Sequence, residues 1–136
     1  MNYWGKHLVL DARGCNIDKS NDPEYIKEFV KELVKTIDMV PYGEPQVVHF
    51  ADGGDKAGWT VIQLIETSSI VGHFLDHNGD LYLDVFSCKA FSAMAVQSLL
   101  DEWFKPELCY MNTIMRDARI GSKADFWVEG VVGKQQ

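Results

Sequence analysis

Cysteine is scarce in this chain of 136 residues, which has only Cys15, Cys88 and Cys109. An odd number at such wide spacings fits neither a disulfide framework nor a C-x-x-C metal site. A reducing cytoplasm is the simplest setting, and each thiol starts as a small buried hydrophobe. Positive charge is also short: 13 Lys and Arg stand against 20 Asp and Glu, a formal charge of -7. With no basic run and no stripe of aromatics and arginine, a nucleic-acid or anionic-membrane surface is excluded, because both need a dense positive field. No apolar run reaches membrane-spanning length. The opening MNYWGKHLVLDARG has no basic region followed by an apolar stretch and a small-residue cleavage site, so no secretory leader is expected. The glycines of ADGGDKAG, residues 51–58, lack the Walker spacing and its Lys-Ser/Thr, which leaves a turn-rich loop rather than a phosphate cradle. Internal repeats, linkers and low-complexity segments are missing too, so one domain spanning 1–136 is expected.

What is present alternates between two periods. Trp4 to Asp11 reads as a strand around Leu8, Val9 and Leu10, leaving through the turn Arg13-Gly14-Cys15-Asn16. Asp22 before Pro23 is a helix start, an N-cap acceptor followed by a residue that needs no donor. Behind it Ile26, Phe29, Val30, Leu33, Val34 and Ile37 recur at three- and four-residue steps, with Lys27, Glu28, Lys31, Glu32 and Lys35 opposite. Pro41, Gly43 and Pro45 are expected to end this helix, with a short strand from Gln46 to Phe50. Trp59 to Glu66 and Ser69 to Leu75 read as strands broken at Thr67-Ser68, and Asn78-Gly79 marks a hairpin into Leu81 to Phe86. Ser92 caps a second helix with Ala95, Val96, Leu99, Leu100 and Trp103 on one face, ending near Pro106. Strands near Leu108 to Met115 and Ala124 to Val128 complete an α+β fold, a two-layer α/β sandwich whose antiparallel sheet carries helices on one face.

Periodicity alone says nothing of chemistry, but short motifs do. Gly5-Lys6-His7-Leu8 is similar to the opening GRHL of bacterial S-adenosylmethionine decarboxylases, and Leu64 to Ile70 resembles their processing segment, usually written E-S-H. His73, and Cys88 in Leu83-Asp84-Val85-Phe86-Ser87-Cys88, resemble that family's histidine and its D-x-[YF]-[TS]-C motif, without a gap from Thr60 through Cys88. The resemblance implies a pyruvoyl-dependent decarboxylase that cleaves itself at Thr67-Ser68 into a β chain, residues 1–67, and an α chain, residues 68–136. Ser68 would become the pyruvoyl cofactor, whose ketone forms a Schiff base with the substrate amine and acts as the electron sink that no ordinary side chain supplies. It further implies His73 as the proton acceptor in processing, Thr60 as the hydroxyl that assists it, and Cys88 as the proton donor in catalysis. The substrate would be S-adenosylmethionine, yielding the aminopropyl donor for spermidine, and the assembly a homodimer of processed αβ protomers.

Two departures matter. Thr67 stands where the family usually has Glu, and Ser69 where bacterial members commonly have His. After the histidine the family's T-W-P-E is replaced by Phe74-Leu75-Asp76-His77, which puts Asp76 one residue before the position of the ribose-holding glutamate. Phe50 and Trp59 are both candidates to stack on adenine, and Glu66 is a further substrate-binding candidate. The altered segment motivates a smaller amino acid, ornithine or arginine, as an alternative substrate; Thr67 and Ser69 motivate an uncleaved, non-catalytic regulatory subunit. His7 reads as a packing and hydrogen-bonding residue near the site. His49 and His77 lack acidic or thiol partners at ligand spacing, so no metal is expected.

Overall fold

The computed structural model describes residues 2–51, 53–124 and 128–130. In chain order these form β1 (Gly5–Arg13), α1 (Ile17–Ser20), α2 (Pro23–Thr36), β2 (Pro41–Phe50), β3 (Gly58–Ile65), β4 (Ser68–Leu75), β5 (Leu81–Ser87), α3 (Ala93–Phe104), β6 (Leu108–Arg116), β7 (Lys123–Ala124) and β8 (Val128–Gly130). The strands make one eight-stranded sheet in the order β2-β3-β4-β5-β1-β6-β7, with β8 also paired to β6. Every pairing among the described residues is antiparallel. This is the α+β sandwich that the patterning predicts.

Alternation along the strands separates two faces. Leu8, Leu10, Val61, Ile70, Phe74, Leu81, Leu83, Val85 and Cys109 are fully or almost fully buried beneath the helices. On α2, Ile26, Phe29, Val30, Leu33 and Val34 are buried, and Asp22 caps the helix by accepting from the backbone of Glu24 and Tyr25. The helix layer is tied to the sheet by rings: Phe104 of α3 lies 5.0 Å from both Phe29 and Phe74, centroid to centroid, and the Tyr25 hydroxyl donates to Trp103 O at 2.7 Å.

The other face has no helix over it. By register it carries His7, Val9 and Asp11 of β1, Thr60, Ile62 and Leu64 of β3, Ser69, Val71 and His73 of β4, and Tyr82, Asp84 and Phe86 of β5. Large apolar side chains stand exposed on it, among them Phe50 at 55 %, Ile62 at 40 %, Leu64 at 56 % and Tyr82 at 45 %. These apolar side chains share the face with polar ones, His7, Asp11, Thr60, His73 and Asp84.

Several local expectations are corrected. The helix α2 stops at Thr36, ahead of the prolines, and Pro41 and Pro45 lie inside β2 rather than before it. That is possible because β2 is an edge strand, where a missing N–H removes no ladder bond, and because the register shifts between Tyr42 and Gln46. Buried Gln63 serves this irregularity, its amide donating to Gly43 O at 3.2 Å and Leu64 O at 2.8 Å. The residues after β1 include a short helix, α1, where only a turn is expected. On α3 the buried residues are Val96, Gln97, Leu100 and Phe104, so the inward stripe is rotated from the one anticipated, and Ala95, Leu99 and Trp103 are half-buried. The break between β3 and β4 falls at Glu66-Thr67, with Ser68 already in β4. Of the strand expected at Ala124 to Val128, residues 125–127 lie outside the described residues.

Candidate active site

Ile65 pairs with Ser68, so Glu66 and Thr67 form a two-residue hairpin loop. Such loops normally carry Gly, Asn or Asp where φ is positive. Here a β-branched Thr67 occupies the left-handed region at φ 48°, at a cost of about 1–2 kcal/mol. The strained residue is the one whose carbonyl precedes Ser68.

Across from this turn, β5 ends at Ser87 and the chain bends. The Ser87 hydroxyl donates to Lys89 O and accepts from Lys89 N, both at 2.8 Å, and this local loop swings Cys88 toward the turn. The backbone N–H of Cys88 donates to Ser68 Oγ at 3.1 Å. Cys88 Sγ lies 3.1 Å from Thr67 Oγ1 and 3.7 Å from Ser68 Oγ. Hydrogen bonding to Thr67, and next to Ser68, pulls the Cys88 thiol below its ordinary value. The other two thiols behave oppositely, since burial pushes both Cys15 and Cys109 up to about 12. Cys88 is therefore the one thiol of the three that is partly exposed and drawn down rather than up. A cavity of about 140 Å³ opens beside it, bordered by Met39, Val40, Glu66, Thr67, Cys88 and Lys89.

Thr60 and His73 also come together. They are register partners on β3 and β4, and Thr60 Oγ1 lies 2.9 Å from His73 Nδ1 on the open face. They stand far from Ser68, however. Five residues of β-strand separate Ser68 from His73, about 16 Å at the usual rise, and the odd spacing sends the two side chains to opposite faces. The structure thus gathers Ser68, Thr67 and Cys88 at one end of the β3–β4 hairpin and Thr60 with His73 at the other.

The substrate-binding candidates divide likewise. Glu66 is exposed in the strained turn. Phe50 is on the open face at the His73 end, while its fellow candidate Trp59 points to the covered face, 4.7 Å from the His49 ring. Asp76 is bonded to His49 Nε2 at 2.7 Å, and its other carboxylate oxygen is buried without a protein partner. Among the described residues no three His, Cys, Asp or Glu side chains converge as a metal site. Two contacts escaped sequence reasoning, which named His7 as a hydrogen-bonding residue but not its partner. His7 Nε2 bonds Asp84 Oδ1 at 2.9 Å on the open face, and the Thr67 hydroxyl touches the thiol. The first follows from pairing β1 with β5, which single-strand patterns do not reveal.

An antiparallel sheet backed by helices on one face, with a serine, a thiol and a residue in the left-handed region gathered at one strand end, is an α+β sandwich whose reactive side chains meet beside a single turn. The sequence profile described as S-adenosylmethionine decarboxylase matches residues 6–117, and this chain belongs to that family. Among curated proteins, an "S-adenosylmethionine decarboxylase proenzyme" of Clostridium botulinum strain Langeland is 30% identical over 103 residues, 75% of this chain and 84% of the relative. The protein of the same description from strain Loch Maree is 29% identical over 103 residues, with the same shares covered. Among solved structures, the adenosylmethionine decarboxylase of Aquifex aeolicus superposes with a TM-score of 0.72 at 22% identity, covering 85% of this chain and 92% of that one. At that identity the likeness speaks for the fold.

Proposed function

We propose that this chain cleaves itself between Thr67 and Ser68 and then decarboxylates S-adenosylmethionine, yielding the aminopropyl donor for spermidine. The observation that carries the proposal is the strained Thr67, φ 48°, set between the Ser68 hydroxyl and the Cys88 thiol. In the uncut chain the Ser68 hydroxyl attacks the Thr67 carbonyl, the peptide C–N bond breaks and an ester forms. Loss of the Ser68 α-proton to a base expels the Thr67 carboxylate and leaves dehydroalanine, whose imine tautomer takes up water and releases ammonia. The left-handed conformation at Thr67 raises the energy of the uncut turn by about 1–2 kcal/mol, and opening the peptide relieves that strain.

The residues present fit a pyruvoyl group at position 68: the position is nearly buried, at 9 % exposure, its neighbour donates a backbone N–H, and a thiol stands beside it. Such a group supplies the ketone that condenses with the substrate amine and accepts the electron pair left when carbon dioxide departs. Cys88 then returns a proton to the substrate α-carbon. Exposed Phe50, at the His73 end, offers a face for a base to stack on and, like His73, serves the Ser68 end only from a second copy.

His73 serves this chemistry only from elsewhere, since its own Ser68 is about 16 Å away along β4. A homodimer resolves the separation. If the open faces of two copies stack about a two-fold axis lying between the sheets and across the strands, the His73 end of one copy lies over the Ser68 end of the other and approaches it from the face opposite the Ser68 side chain, on the backbone side rather than the hydroxyl side. The exposed Ile62, Leu64 and Tyr82 would be covered by the same contact. Among the described residues no helix is long and apolar enough to cross a membrane, and three free thiols support a reducing, cytoplasmic setting.

A denaturing mass measurement tests the first step. Fragments of residues 1–67 and 68–136, the second beginning with a ketone rather than an amine, are expected, with carbon dioxide released from labelled S-adenosylmethionine. Cys88→Ala is expected to be cut normally yet to lose at least about 100-fold in turnover. An intact chain would replace the enzyme with an uncut regulatory subunit, and release from ornithine or arginine instead would correct the substrate.

A further inference from the structure

Two hydroxyls flank Cys88, and the proposed cleavage treats them differently. The Ser68 oxygen leaves in the new carboxylate of Thr67, so Ser68 has no hydroxyl once the chain is processed. The Thr67 hydroxyl is untouched by that chemistry. It also has a second partner, lying 2.8 Å from Glu66 O while it is 3.1 Å from Cys88 Sγ.

A hydroxyl has one proton to give and two lone pairs to accept with. While Cys88 is a thiol, its S–H donates to Thr67 Oγ1, and Thr67 in turn donates to Glu66 O. Once the proton has been delivered, the Thr67 O–H rotates to donate to the sulfur, which is now an anion and the stronger acceptor. Both states of the sulfur keep a hydrogen bond at the same position. The charged groups bordering the sulfur are Glu66 in the turn, Lys89 after β5, which is held by Asp38 O at 2.8 Å and faces the Asp38 carboxylate, and, once the chain is cut, the new carboxylate of Thr67, which all variants share.

We propose that Thr67 is a positioning residue for Cys88, its hydroxyl acting as a rotor that holds the sulfur in place before and after proton delivery. The left-handed backbone at Thr67 then has a second use, since it aims this side chain at β5. The proposal deepens the reading of Cys88 as proton donor and rests on it for its catalytic meaning, though the tether itself is independent of cleavage.

The test compares Thr67→Val, which keeps the β-branch and loses the oxygen, with Thr67→Ser, which keeps the oxygen. Alkylation of Cys88 by iodoacetamide is followed against pH by peptide mass, and turnover is normalised to the cleaved fraction. In the Val variant the alkylation midpoint is expected to rise by about one pH unit, with kcat lowered and KM unchanged. The Ser variant is expected to retain the parent profile. Superimposable profiles for the parent and Thr67→Val overturn the proposal, as does a Ser variant that behaves like Val. Thr67→Ala serves in place of Val if Val does not fold. Should the chain prove not to cleave, the alkylation arm still reads the tether, so the failure of one proposal is distinguishable from the failure of the other.

Discussion

At the Ser68 end of the β3–β4 hairpin two hydroxyls and a thiol crowd a strained two-residue turn, whereas at the Leu75 end Thr60 and His73 face outward across an ordinary register pair. At the first end Ser68 is nearly buried beneath an exposed turn; the second is exposed and flanked by an exposed Phe50. Both sets are hydrogen-bonded within themselves, yet on the proposed mechanism neither is a complete site: the first lacks a histidine, and the second has nothing to act on. Strand geometry enforces this, because residues five apart on one strand can neither meet nor share a face.

The sharpest way to break the comparison is to divide the two ends between chains. Ser68→Ala alone and His73→Ala alone are each expected to stay uncut. Co-expressed, they form mixed dimers in which an intact Ser68 end meets an intact His73 end, and the His73→Ala chain is expected to appear as two fragments by mass. If that chain stays whole in a verified mixed dimer, the two ends do not serve each other across copies.

A smaller effect is expected from disturbing only the surface that would join them. Ile62→Lys places a charge on the open face between Val71 of β4 and the edge strand β2, touching neither set of site residues. Dimer affinity is expected to fall at least tenfold, about 1.4 kcal/mol, with cleavage slowed in proportion and secondary structure unchanged. Sedimentation alongside fragment mass checks this, and normal cleavage by a monomer would remove the need for a second copy.

How much of this was legible beforehand depended on whether a signal was local. Asp22-Pro23 and the stripe from Ile26 to Val34 mark α2 because capping and periodicity act within a few residues. The β3–β4–β5 meander was equally plain from its turns. Pro41 and Pro45 misled because a proline's tolerance depends on whether its strand is at an edge, which is a property of the whole sheet. Gln97 and Gln63 are buried for tertiary reasons that no pattern carries. For the site, the register of Ser68, His73 and Cys88 along the chain resembles a family pattern. Their division between two sheet ends appears only once β4 is seen to be one unbroken strand. Thr67 was visible only as a departure from that pattern; its contact with the thiol needed the bend after Ser87.

The Ser68 end is also where the chain beyond β6 is fastened, and this makes acid a gentler probe of the same contrast. Asp117, 3 % exposed, takes two bonds from the Arg119 guanidinium, at 2.9 Å and 2.6 Å. Those bonds, with backbone N–H groups of Arg119 and Trp4, hold its carboxyl down at about 2 from an ordinary 3.8. The folded value is the lower one, so the unfolded chain binds the proton more readily and the stabilisation is complete above the ordinary value. It is lost as pH falls from about 4 through about 2. Urea midpoints for the parent and Asp117→Asn are therefore expected to differ most above pH 4 and to converge as pH approaches 2. A gap that stays constant across that window would mean that Asp117 supports the Trp4 end through packing rather than through its charge.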